Sequence, residues 1–338
     1  MLKKIKQLAI LTLIFTALLS INLIELPYYI TKPGITKELD RIVEVEERFE
    51  GEGSFSLTTV SIGRANPYTY VWANLQSFYE IYPVNDVKYE NESDEDYLDR
   101  QLYMMESSQD AAISLAYEEA NREVDLDFNG IIVGQVFEGM PAEGKLKVGD
   151  RIFKVDGQRL QSSEQMISYV NELNSGDSIL LTLERDDKEM EVEVNLSTFS
   201  EDSSRIGVGI SLINDYEVHV SPDVEINTST IGGPSAGLMI SLEIFNQLTE
   251  TDYSKGYTIA GTGTIDQDGT VGPIGGIHQK VVAADEAGVD IFFAPNEMGV
   301  EDSNYQIALQ TAKDINSNMN IVPVDTFEEA VNYLKEMN

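Results

Sequence analysis

The run Thr230-Ile231-Gly232-Gly233-Pro234-Ser235-Ala236-Gly237-Leu238 sets one serine among small residues, and Lys280 follows 45 residues later in Gly275-Gly276-Ile277-His278-Gln279-Lys280-Val281-Val282-Ala283-Ala284. Serine is a weak nucleophile until a neighbouring base takes its proton. A small-residue turn opening a helix offers backbone N–H groups to a developing oxyanion, here those of Ser235 and Ala236, since Pro234 has none. The usual base is histidine, but the chain has only His219 and His278, and neither has an obvious triad setting. Lys280 is the better candidate. Ile277, Val281, Val282 and Ala283 around it foreshadow burial, which lowers a lysine pKa toward a useful range.

These two stretches resemble the Lon-type proteases, whose Ser–Lys dyad sits in a G-P-S-A-G segment and a later G-G-(x)3-K segment. The resemblance implies Ser235 as nucleophile and Lys280 as general base. It also implies that Thr262, in Gly261-Thr262-Gly263-Thr264, helps orient the lysine. A family helix reading roughly M-x-E-S-x-x-x-A has a counterpart in Met105-Glu106-Ser107-Ser108-Gln109-Asp110-Ala111-Ala112, and the strand Phe55–Ile62 precedes it. The implied protease domain therefore begins near residue 50 and is interrupted after its first helix. A separate N-terminal domain is the alternative.

Working outward, Gly53 to Gly63 alternates polar with apolar or β-branched residues, as a half-buried strand should. Asn91 to Asp99 is acidic and reads as a solvated loop, and Leu102 to Val124 as an amphipathic helix. From Pro141 to Gly157 the chain carries P-A-(x)n-L-x-x-G-D-x-I-x-x-V-D-G, which resembles a bacterial PDZ domain. That resemblance implies a small β-rich module holding an extended peptide by strand addition. Its hairpin turns at Asp186-Asp187. The loop receiving the peptide end is either Phe128-Asn129-Gly130-Ile131 or Arg205-Ile206-Gly207-Val208. Beyond a polar linker come strand signals at Ile206–Ile213 and Glu217–Val220, and strands and helices then alternate around the serine and lysine segments, indicating an α/β or α+β layered domain.

Lys3, Lys4 and Lys6 precede an uncharged run from Leu8 to Ile24, 17 residues long. That is close to the lower limit for a membrane-spanning helix, and the lysines would stay in the cytoplasm with the rest of the chain outside. A cleaved signal peptide competes with this reading, but Leu18, Leu19 and Ile21 interrupt any small-x-small site. Pro27 to Thr36 reads as an extended juxtamembrane segment turning at Pro33-Gly34. The expected organisation is an anchor over 1–30, an N-terminal part of the protease over 31–125, a PDZ insertion over 126–200 and a catalytic part over 204–338.

The 338 residues carry a net charge of −35, which argues against nucleic acid as a partner, and no cysteine, which excludes disulfides and thiolate metal sites. Gly139-(x)4-Gly144-Lys145 lacks the Ser or Thr of a phosphate-binding loop, Leu146 standing there instead. No other Walker-type motif occurs, so no ATP-driven unfolding module is expected. Asp266-Gln267-Asp268-Gly269 lacks the remaining ligands of a calcium loop and reads as a turn. The sequence thus resembles the membrane-anchored PDZ–Lon-like proteases of Gram-positive bacteria. The implied activity is ATP-independent cleavage, outside the cytoplasm, of peptides or unfolded proteins, with no cofactor or metal and with self-association left open. A catalytically silent PDZ scaffold and a chaperone-like quality-control factor are the rivals.

Overall fold

A computed structural model of the chain describes residues 21–89, 92–199, 205–228 and 231–337, together with 4–7, 12 and 202. The alternating segment becomes the strand Ser54–Arg64, the middle of a six-stranded sheet. On one side it pairs in parallel with Thr258–Gly261, Phe55 opposite Ile259, and that strand continues through Ile291–Pro295 to Asn320–Val324. On the other side it pairs antiparallel with Tyr28–Glu38, which in turn carries the short edge strand Glu80–Pro83.

Period-two alternation divides the parallel half between two cores. Phe55, Leu57, Ile259, Ile291 and Phe293 face the long helix Asp94–Glu119, the serine helix Gly237–Leu248 and the C-terminal helix Phe327–Glu336. Ala260, Phe292 and Ala294 point the opposite way, against the lysine helix Ile277–Glu286 and the helix Asn304–Asp314. Mixed α/β layers result. The serine helix is buried along all twelve of its residues, which is why its sequence is apolar with almost no polar stripe.

A second lobe has its own core of Ile131, Val133, Ile152, Val155, Met166, Val170, Ile179, Leu181 and Leu183. Its sheet runs in the order Ile210–Val220, Val124–Val136, Arg151–Val155, Ser178–Arg185, Lys188–Asn195. Asp186 and Asp187 both take positive φ, 51° and 58°, as a two-residue hairpin turn requires. Asp150, 1% exposed, is held by Arg185 through two contacts of 2.6 Å and caps the Lys147 N–H, so this motif aspartate is a structural pin. The strands that enter and leave the lobe, Val124–Val136 and Ile210–Val220, pair antiparallel from Val124↔Val220 to Val136↔Ile210. Entry and exit are therefore side by side at the long helix.

Three expectations change. Pro27 to Thr36 is no free juxtamembrane segment: Tyr28–Glu38 is a sheet strand, and Pro33-Gly34 falls at a register shift that spares proline a ladder bond. The acidic block is only partly a loop. The long helix starts at Asp94, because Ser93 and Asp96 form a reciprocal capping box and the acidic first turn suits the helix N-terminus. The strand signals at Ile206–Ile213 and Glu217–Val220 become a two-residue strand and one continuous strand, Ile210–Val220. The apolar run Leu8–Ile24, expected as an anchor, lies largely outside the described residues. Among the described residues no helix is long and apolar enough to cross a membrane.

Candidate active site

Ser235 closes the turn that leads into the serine helix, whose N-cap is Ala236. The turn is pinned from two directions. From the long helix, the Gln101 carbonyl accepts from the Gly233 N–H at 2.8 Å, and Ser108 Oγ donates to the Pro234 carbonyl at 2.9 Å. From the sheet side, the Ser235 carbonyl accepts from the Gly263 N–H at 2.9 Å and from Thr262 Oγ1 at 2.9 Å. Gly237 is required for this closeness, since a Cβ there would meet Ser108 Oγ at 2.6 Å and Ile265 Cγ2 at 2.7 Å. The Ser235 and Ala236 N–H groups make no hydrogen bond among the described residues, and both sit at the positive end of the serine helix.

Lys280 reaches the turn from the lysine helix, which starts at Gly276 in a left-handed conformation (φ 72°). Its Nζ lies 2.7 Å from Ser235 Oγ and 2.8 Å from Thr262 Oγ1. At 3% exposure the ammonium is desolvated, and burial pulls its pKa from 10.5 to about 7. The hydrogen bonds fix which way the neutral amine points. Thr262 spends its only proton on the Ser235 carbonyl, so its oxygen accepts an N–H from Lys280. The amine lone pair is then free to face the Ser235 hydroxyl. Thr262, fully buried, ties the Ser235 backbone and the Lys280 amine together.

Ser235, Lys280, Thr262 and Ala236, named from sequence, thus converge on one spot. The histidines do not. His219 is half exposed beside Asp127 and Glu217, and His278 directs Nδ1 at Thr311 Oγ1, 2.7 Å away. Sequence reasoning missed the anchoring roles of Gln101 and Ser108. The only hint was the quoted Met105–Ala112 segment, within which Ser108 is the residue that touches the serine turn. Among the described residues no group of three His, Cys, Asp or Glu side chains is placed to hold a metal. A polar cavity lined by Asp40, Arg48, Glu243 and Gln247 lies toward the far end of the serine helix, and neither Ser235 nor Lys280 borders it.

Residues 173–336 match the family model of the Lon protease (S16) C-terminal proteolytic domain, and residues 93–196 match that of a PDZ domain. The Lon protease of Campylobacter jejuni is 31% identical over 126 residues, covering 37% of this chain and 14% of that protein. Lon protease 2 of Bacillus subtilis is 32% identical over 118 residues, covering 35% of this chain and 19% of that protein. The chain spans less than a fifth of the length of the curated Lon proteases it matches. Among solved structures, the PDZ domain of an SdrC-like protein from Listeria monocytogenes is similar at 27% identity. It covers 26% of this chain and 90% of that domain, with a TM-score of 0.24. The two matched spans overlap over 173–196, which the structure places in the second lobe, and neither includes the strand Ser54–Arg64 that pairs with Thr258–Gly261.

Proposed function

We propose that the protein is an ATP-independent serine endopeptidase of the Ser–Lys type, cutting extended peptides or unfolded proteins outside the cytoplasm. The single observation that carries this is the buried Lys280 amine 2.7 Å from Ser235 Oγ. In the first step the Ser235 proton passes to Nζ of Lys280, and Oγ bonds to the carbonyl carbon of the scissile peptide. The negative charge moves to the carbonyl oxygen, toward the Ser235 and Ala236 N–H groups. The C–N bond then breaks, Lys280 returns the proton to the leaving amine, and an acyl ester remains on Ser235. Water attacks that ester with Lys280 again as base, releasing acid product and free serine.

In the same reading, residues 50–125 and 204–338 form one protease domain and 126–200 a PDZ insertion. The side-by-side strands Val124–Val136 and Ile210–Val220 support this, because an inserted domain needs neighbouring ends. A substrate strand would add to Ile210–Val220, the outermost strand, beside the helix Ser163–Asn171, whose Ser163 N–H bonds Asn214 Oδ1 at 3.1 Å. Arg205–Val208 leads into that strand. Phe128–Ile131 is the poorer candidate for receiving the peptide end, since its strand is paired on both sides. The run Leu8–Ile24 would be a single-pass anchor with the lysines in the cytoplasm. To test the activity, the purified chain is incubated with unfolded casein and no nucleotide. Fragments are expected from the wild type and none from Ser235→Ala; cleavage by that variant at the wild-type rate overturns the reading.

A further inference from the structure

One helix of the molecule is apolar on the side that faces away from it. The helix Pro67–Ala73 turns Ala73 and Tyr70 inward, into a small core with Ile30, Ala65, Tyr28 and Ile81. Tyr68, Val71 and Trp72, at positions i, i+3 and i+4, lie on the opposite face, and Leu75 follows in the turn just past the helix end. Val71 is 60%, Trp72 57% and Leu75 72% exposed. A surface helix of a soluble domain normally keeps that face polar. Charge is also missing: no Asp, Glu, Lys or Arg occurs from Ala65 to Tyr79, in a chain of which 24% is charged and whose net charge is −35.

The position of this face identifies its occupant. Asn66, the helix N-cap, donates from Nδ2 to Asn22 Oδ1 at 3.4 Å, and the Leu26 N–H bonds the Ala65 carbonyl at 2.8 Å. The chain thus leaves the domain toward Leu8–Ile24 right beside this helix, and Leu23 and Ile24 add two more exposed apolar side chains there. We propose that the Tyr68/Val71/Trp72/Leu75 face lies on the lipid bilayer, seating the protease domain against the membrane surface. Tryptophan and tyrosine suit that depth, with an apolar ring and a polar edge. An uncharged strip also lets a strongly acidic domain approach an anionic lipid surface with little repulsion. The proposal rests on the anchor reading for its orientation, yet the two fail separately.

Trp72 is the sole tryptophan of the chain, so its fluorescence reports this face alone. The full chain is reconstituted into phosphatidylcholine–phosphatidylglycerol vesicles, with and without lipids brominated on the acyl chain near the headgroup. Flotation after a carbonate wash is measured on the same samples. Expected is a blue-shifted Trp72 emission that brominated lipid quenches. The double variant Val71→Ser, Leu75→Ser, checked for folding by circular dichroism, should float equally well but lose most of the quenching. A chain that floats with Trp72 emission red and unquenched overturns the seating and leaves the anchor standing. A chain that washes off in carbonate, yet is quenched before the wash, supports the seating and removes the anchor. Concentration-dependent self-association without vesicles, abolished by the double variant, would assign the face to a second copy and overturn the lipid proposal.

Discussion

Lowering the pH through about 7 should switch catalysis off, because protonation of Lys280 removes the base that reaches Ser235. Burial sets the magnitude. With a pKa of about 7, half the molecules carry the neutral amine at neutral pH. An unshifted lysine at 10.4 would leave only about one molecule in several thousand competent at that pH, so burial supplies on the order of 10^3 in active fraction. The sign follows directly: kcat/KM falls tenfold per unit below the pKa and levels off above it. The assay is the hydrolysis of an internally quenched peptide at saturating and limiting concentrations, from about pH 5 to about pH 9. Lys280→Arg should be inactive throughout, since a guanidinium stays protonated. A rate still climbing tenfold per unit at about pH 9 would refute the depressed amine. A flat profile would refute lysine as the base.

Thr262→Val should lower kcat/KM about ten- to a hundredfold, the loss of a buried hydrogen bond costing about 1–3 kcal/mol, while Thr262→Ser retains most activity; equal rates for both would remove its positioning role. Lys280→Met should stabilise the fold in urea titrations. The depressed lysine binds fewer protons when folded, so wild-type stability is lost as pH falls from 10.5 to about 7, by at most about 5 kcal/mol, and the variant should lack that slope. Asp110 is the opposite case: burial, with Glu106 and Asp215 nearby, raises it to about 7. Wild-type stability should therefore fall as pH rises from 3.8 through about 7, and Asp110→Asn should flatten that part of the curve. Gly276→Ala should impair both folding and activity, since its φ is 72° and a Cβ would meet Val60 Cγ2 at 2.6 Å; unchanged urea midpoint and rate would contradict this.

That Ser235 and Lys280 meet was legible because each sits in a short local signature: small residues around Ser235, a glycine start and an apolar neighbourhood for Lys280. The strand Ser54–Arg64 was legible from alternation alone. Tyr28–Glu38 was not, because Pro33-Gly34 reads as a turn in isolation. In the sheet that pair sits at a bulge, where a Cβ on Gly34 would fall 2.5 Å from the Thr59 carbonyl oxygen. The start of the long helix was hidden by its own capping chemistry, since Asp94, Glu95 and Asp96 look like a solvated loop until Ser93 is seen to cap them. Gln101 and Ser108 were beyond reach for another reason. Their partners, Gly233 and Pro234, lie more than a hundred residues away, and no periodicity encodes such a contact.

The most direct test of the Ser235–Lys280 assignment is to trap the acyl-enzyme. The full chain is mixed with an activated peptide ester, quenched in acid within the first turnover, digested and mapped by mass spectrometry. Expected is one acyl group on Ser235 in the wild type at alkaline pH, and none on Ser235 in Lys280→Ala or in wild type well below neutral pH. An acyl group on another side chain, or casein cleavage with Ser235 never modified, would contradict it.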